Sequence, residues 1–143
     1  MFIRQISVFL ENVPGSLAKP VAKIADAGID LIAMSIADTA EYGILRCIVA
    51  APERCIALLK NEGYIVRQTE VLGVNVPDKP GGLSCVLNVL SDNGVSVEYL
   101  YSFVRRTKGN AMLIFNFTDN ARAARVLSEN GVTLLDETAL GNM

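Results

Sequence analysis

The chain of 143 residues contains no histidine and no tryptophan. Without imidazole it has neither the commonest general base nor the commonest metal ligand, and the serine and cysteine triads that depend on it are excluded. Cysteine is scarce as well: Cys47, Cys55 and Cys85 are odd in number and include no Cys-x-x-Cys pair. A disulfide framework, a zinc ribbon and a dithiol redox couple are therefore not expected. Each cysteine reads as a small core hydrophobe. No apolar run approaches the roughly 20 residues of a membrane span. The segment Met1-Phe2-Ile3-Arg4-Gln5 lacks the apolar centre of a secretory signal, and a cytoplasmic location is expected. With 13 basic and 15 acidic residues the net charge is −2, so no general field draws nucleic acid to the surface.

Charged side chains offer little catalytic chemistry either. Glu11, Asp30, Asp78 and Asp92 form no close pair in sequence. Asp26 and Asp92 read as solvated helix-face residues, and Arg105-Arg106-Thr107-Lys108 as a solvated turn. No enzyme activity, metal or cofactor is expected.

What the chain does contain is a repeat. Glu11-Asn12-Val13-Pro14-Gly15-Ser16-Leu17 returns as Pro77-Asp78-Lys79-Pro80-Gly81-Gly82-Leu83. Before the loop, Ile6, Val8 and Leu10 correspond to Leu72, Val74 and Val76, the alternation of a half-buried strand. After it, Leu17, Val21 and Ile24 correspond to Leu83, Leu87 and Leu90, a spacing that gathers apolar side chains on one helical face. Gly28 and Gly94 stop that helix. Beyond a hairpin, Cys55, Leu58 and Leu59 match Ala123, Val126 and Leu127 on a second helix closed by Gly63 and Gly131. Matched positions stand further apart after the hairpin than before it, which places an insertion in the second copy near Arg105 to Asn110.

Each half reads as strand, helix, strand, strand, helix, strand, with the last strands near Tyr64 to Glu70 and Val132 to Thr138. This is the split βαβ plan. The expected fold class is α+β: two ferredoxin-like βαββαβ modules in tandem, 1–70 and 71–143, with antiparallel sheets covered by helices on one face. Domains this small bury a low fraction of their surface. With 51% hydrophobic residues, burial between copies of the module is expected, and a homodimer with it. RNA-recognition domains share the element order but stack bases on central-strand aromatics. The strand Ile44-Leu45-Arg46-Cys47-Ile48-Val49 has no aromatic residue, and Tyr101, Phe103, Phe115 and Phe117 suit sheet packing equally well. No nucleic-acid partner is expected.

The Pro-Gly loop is where chemistry remains. A strand followed by Pro-Gly allows a tight turn and a close backbone approach, and the helix behind it starts with unpaired N–H groups that suit a carboxylate. Asn12 and Asp78, two residues before each proline, offer acceptors to an ammonium group. Together these features match the two ends of an α-amino acid. The alternative is a plain strand-to-helix turn in which Asn12 or Asp78 bonds its own backbone.

On these residues the chain resembles a tandem pair of ACT domains, small regulatory modules of amino-acid metabolism. The resemblance runs from about Ile3 to Thr138 and rests on Asn12-Val13-Pro14-Gly15-Ser16-Leu17 followed by Gly28-Ile29-Asp30. It implies a non-catalytic sensor that binds a small molecule, an amino acid, at interfaces between modules and acts on a separate enzyme or regulator. The implied ligand residues are Asn12, Pro14, Gly15, Ser16, Leu17 and Asp30 in the first copy. The second copy supplies Asp78, Pro80, Gly81, Gly82, Leu83 and Ser96, where it departs from the pattern by carrying Asp78 and Ser96 at polar positions that the family usually fills with asparagine. The first copy is the better-preserved site, and Tyr99 and Tyr101 are candidate pocket-wall residues. The competing reading is a structural or protein-interaction module whose pocket holds no ligand.

Overall fold

The computed structural model describes residues 2–38, 42–103 and 108–141. Its elements run β1 (Ile3–Glu11), α1 (Ala18–Asp26), β2 (Leu31–Asp38), β3 (Tyr42–Val49), α2 (Pro52–Asn61), β4 (Ile65–Pro77), α3 (Gly82–Asp92), β5 (Val97–Ser102), β6 (Asn110–Phe117), α4 (Asn120–Glu129), β7 (Leu134–Leu135) and α5 (Glu137–Gly141). The fold is α+β with two βαββαβ-like modules. Two compact units result: Arg4–Thr69, and the chain from Glu70 onward joined by Phe2 and Ile3.

In the first unit β3 lies between β1 and β2, antiparallel to both, with Ile6 opposite Cys47, Val8 opposite Leu45 and Glu11 opposite Tyr42. Strand alternation puts Ile6, Val8 and Leu10 on one face with Leu45, Cys47 and Val49. The inward stripes of α1 and α2 meet that face through Ile24, Cys55 and Leu59, and these residues form one buried cluster. Leu17 and Val21 are partly buried against it, as the helical spacing predicts.

The second unit repeats the plan with β6 between β4 and β5, Leu72 opposite Phe115, Val74 opposite Leu113 and Pro77 opposite Asn110. Its core joins Leu72, Val74 and Val76 to Leu90, Ala123 and Leu127 and adds Val86 from α3. The rings of Phe115 and Phe117 stack at 5.6 Å between centroids.

Three expectations need correction. The segments read as the last strand of the first copy and the first strand of the second are one continuous 13-residue strand, β4, because no turn-forming residue separates Glu70 from Leu72. The last strand, expected over Val132 to Thr138, is only Leu134–Leu135. There Asp136 accepts a hydrogen bond from the Ala139 N–H through its side chain at 2.9 Å and so caps the short α5. Cys85 is exposed, whereas Cys47 and Cys55 are buried; Cys85 lies on the outer side of α3, away from Val86 and Leu90. The expected insertion at Arg105 to Asn110 lies partly outside the described residues.

Four helices end alike. In α1, Gly28 N–H donates to Ala25 O (2.9 Å) and Ile29 N–H to Ile24 O (3.1 Å); in α2, α3 and α4 the equivalent pairs begin at Gly63, Gly94 and Gly131. This is the Schellman closure, in which a glycine in the left-handed region lets the chain leave the helix while the last carbonyls stay bonded. The φ values at Gly63 and Gly131 are 91° and 76°.

Burial pushes the Cys47 thiol up to about 12, with the neighbouring Cys55 adding to the shift, and raises Cys55 to about 11. A folded pKa above the unfolded one means that above about pH 9 the native state holds protons which the unfolded chain has lost. Stability from these two thiols is thus full below pH 9 and declines as pH rises toward 11 to 12. Native protein at pH 8 is expected to give Ellman's reagent one rapidly reacting thiol, Cys85, with Cys47 and Cys55 reacting only on unfolding. Fast titration of all three in the native state would contradict this burial.

Candidate functional site

The two Pro-Gly loops are built from the same hydrogen bonds. In the first, Ser16 N–H donates to Val13 O at 3.2 Å and Lys19 N–H to Gly15 O at 3.1 Å. In the second, Gly82 N–H donates to Lys79 O and Cys85 N–H to Gly81 O, both at 3.0 Å, and Asp78 N–H is held by Gly109 O at 3.1 Å. Gly15 and Gly81 take φ values of 85° and 87°, a conformation that favours glycine. The amides of Ser16 and Gly82 are thus consumed inside the turns and do not await an anion. Neither α1 nor α3 has a side-chain cap.

The loops differ in tightness. A Cβ at Gly82 would stand 2.0 Å from the Pro77 carbonyl oxygen, so the second loop closes directly on the end of its strand. Ser16 occupies the corresponding position in the first loop and carries a Cβ, which requires that loop to stand further off. The helix start follows suit: α3 begins at Gly82, whereas α1 begins only at Ala18, two residues later in the repeat.

The more open first loop borders a cavity of about 460 Å³, inside the usual range for small-molecule sites. Phe9, Leu10 and Glu11 at the end of β1 form one wall, and Val13, Pro14, Ser16 and Lys19 the loop side. Tyr42 enters from β3 because the antiparallel register sets it opposite Glu11. Gly63, Tyr64 and Ile65 complete the lining, delivered by the glycine closure of α2. Phe9 is fixed from two directions, by Tyr42 at 6.2 Å between ring centroids and by the Arg67 guanidinium 5.6 Å over its ring. Val13, Tyr42 and Ile65 are 54%, 42% and 66% exposed, so the cavity has an apolar rim. Glu11 and Lys19 bring opposite charges to it, and neither enters an ion pair among the described residues.

A second cavity of about 320 Å³ occupies the corresponding place in the other unit, between Pro77, Gly82 and Cys85 on the loop side and Asn130 to Thr133 behind α4. Of the residues expected to bind a ligand, Pro14 and Ser16 line the first cavity and Gly82 the second. Asn12, Gly15 and Leu17 belong to the first loop without lining the cavity, as do Asp78, Pro80, Gly81 and Leu83 in the second. Asp30 is exposed just before β2, where its carbonyl accepts from Ala50 N–H at 3.0 Å, and Ser96 is exposed just before β5. Tyr99 is half-buried and Tyr101 buried on β5, and neither lines either cavity. Sequence reading missed Phe9, Glu11, Lys19, Tyr42, Tyr64 and Ile65 as a group, since only strand register and the α2 closure bring them together. No group of three or more metal-ligating side chains is present among the described residues.

A family model described as an ACT domain pair matches residues 1–143. Among solved structures, protein BT0572 from Bacteroides thetaiotaomicron is 36% identical, with a TM-score of 0.92 over 100% of this chain and 98% of that one. The regulatory subunit of aspartate kinase from Thermus thermophilus, in its ligand-free form, is 14% identical, with a TM-score of 0.64 over 90% and 92% of the two chains. A structure of aspartokinase alpha and beta subunits is likewise 14% identical, at 0.61 over 88% and 90%. No curated protein sequence matches the chain.

The difference between the loops is directly measurable. Gly82→Ala forces the Pro77 backbone to move and is expected to cost about 1–3 kcal/mol, read as a lower melting temperature by circular dichroism. Ser16→Ala, at the matching position, should stay within about 0.5 kcal/mol of the parent. Equal effects would show that the two loops are equally tight.

Proposed function

The chain belongs to the ACT domain pair family, and from that premise we propose that it is a non-catalytic regulator whose first module binds an α-amino acid with an apolar or aromatic side chain. The observation that carries this reading is that Glu11 and Lys19, of opposite charge, are the two charged residues among the described residues that line one largely apolar cavity. A zwitterion has an ammonium group for Glu11 and a carboxylate for Lys19. Phe9, Tyr42, Tyr64 and Ile65 offer its side chain apolar and aromatic surface. Charge-assisted hydrogen bonds contribute about 1.5–3 kcal/mol each, enough to orient a small ligand while the apolar wall selects it.

The open rim gives such a site a way to signal. In this reading Asn12 and Asp30, exposed and outside the cavity, meet a module of a second copy of the chain that closes over the ligand. A ligand that favours one arrangement of that assembly over another by a few kcal/mol shifts the population between them. The shift would be read by a separate enzyme or regulator in the cytoplasm. That the regulatory subunit of an aspartate kinase shares the fold is consistent with a regulatory role.

The test is a thermal-shift scan of the protein against the twenty amino acids. A ligand at about a hundred times its dissociation constant stabilises the fold by about 2.7 kcal/mol, a shift of degrees. Selective shifts by apolar or aromatic amino acids are expected, with Lys19→Met and Glu11→Gln each weakening binding about 10- to 100-fold and leaving the unliganded melt in place. A flat scan would favour the interaction-module reading, for which the exposed Val13 and Ile65 on the rim would then be the contact surface.

A further inference from the structure

The two cavities are the same place in the repeat with different chemistry. When the copies are aligned, Phe9, Glu11 and Lys19 correspond to Asn75, Pro77 and Cys85, and Tyr42 and Ile65 correspond to Asn110 and Thr133. Both charges are replaced by neutral residues, and two aromatic rings by carboxamides. The backbone frame is kept: Pro77 faces Asn110 across β4 and β6 as Glu11 faces Tyr42 across β1 and β3, and Gly131 closes α4 as Gly63 closes α2. A zwitterion has no counter-charge in the second cavity.

One atom there is unsatisfied. Asn75 Oδ1 is sealed from solvent and has no hydrogen-bond partner among the described residues. A buried acceptor left unpaired costs about 1–3 kcal/mol. The neighbouring Asn130 donates from its Nδ2 to Val126 O at 2.8 Å and makes no hydrogen bond to Asn75 Oδ1. Asn75 is among the residues that line the cavity, and the last torsion of an asparagine side chain is soft, so its carboxamide can adjust to a group that enters. The group that then satisfies Asn75 on both sides accepts from Nδ2 and donates to Oδ1 without carrying a charge.

We propose, building on the ligand-binding reading of this fold, that the second cavity is a separate site for a primary carboxamide, held by reciprocal hydrogen bonds to Asn75 with Asn110 and Thr133 beside it. The chemistry is shared by the free amino acids that bear a carboxamide and by a glutamine or asparagine side chain of a partner protein. The two modules are accordingly not redundant: one cavity reads a zwitterion, the other an uncharged amide.

The test is a titration of the full chain, ¹⁵N-labelled, with propionamide and with propionate, following the side-chain NH₂ resonances of Asn75 and Asn110. Propionamide is expected to shift them and propionate to leave them unmoved, and Asn75→Leu or, if that variant fails to fold, Asn110→Ala should weaken the response at least tenfold. Protection of Cys85, which lines the same cavity, from alkylation gives an independent readout of occupancy. Free glutamine and its N-acetyl, C-methylamide derivative then separate the sources: response to the free form alone identifies a metabolite, and response to both identifies a protein side chain. No shift with propionamide, or an equal shift with propionate, overturns the proposal. Lys19→Met separates it from the first-cavity reading, since it should weaken amino-acid binding there about 10- to 100-fold and leave the propionamide response intact.

Discussion

The way the helices end governs this structure. At Gly28, Gly63, Gly94 and Gly131 the chain leaves a helix through one left-handed residue, with the final carbonyls bonded to the next two amides. A turn of that kind has almost no freedom of direction, so the residue after the glycine is delivered to a set position with its side chain against the last turn. Ile29, Tyr64, Val95 and Val132 all arrive this way. Two of them, Tyr64 and Val132, become walls of the cavities. The other fixed coordinate is the antiparallel register, which sets Tyr42 beside Glu11 and Asn110 beside Pro77. Once closure and register are given, a hollow behind the Pro-Gly loop follows in each module, whatever side chains line it.

Because the frame holds the hollow open, its lining is free to diverge. The Cβ of Ser16 and the absence of one at Gly82 show how finely the two loops are adjusted: the second has collapsed onto the Pro77 carbonyl, and its cavity is smaller, about 320 Å³ against about 460 Å³. The first keeps its charges and rings. In the proposed reading, duplication left two cavities with different linings rather than one working copy and a vestige of it. A relic would be expected to fill with apolar side chains, since an unpaired buried amide is costly; the second cavity instead keeps three asparagines and a threonine.

Much of the frame was legible in the chain itself. Ile24 and Leu90 are buried where the helical spacing put them, and the closing glycines stand where the repeat located them. What could not be read was anything set by pairing between distant segments. Phe9, Tyr42 and Tyr64 lie far apart in sequence and meet only because strand register and a helix closure aim them at one point. The continuity of β4 was legible too, in the absence of a turn residue between Glu70 and Leu72, but it was masked by reading each repeat as a closed unit. The shortening of β7 was harder, since the alternation after Gly131 looks strand-like and only the side chain of Asp136 reveals that it caps a helix instead. Cys85 misled because its residue type is usually buried, whereas its place on α3 faces outward.

The loop's role is also narrower than its conspicuousness in the sequence suggests. Pro14-Gly15 and Pro80-Gly81 spend the Ser16 and Gly82 amides on their own turns, while most of each cavity's lining comes from residues outside the motif. That division explains how a short repeated signature can coexist with two different linings. The signature sets where the strand stops and the helix starts, and in the proposed reading the ligand is selected by residues such as Lys19 and Cys85, one turn further along the helix, and Phe9 and Asn75, at the end of the strand. In a module so built, ligand chemistry can change by substitution at those positions alone, without disturbing the core that holds Ile24, Leu59, Leu90 and Leu127 in place. Two modules in one chain can then respond to two different small molecules through the same backbone frame, and a regulator of this kind integrates their levels by the sum of the interface free energies each contributes.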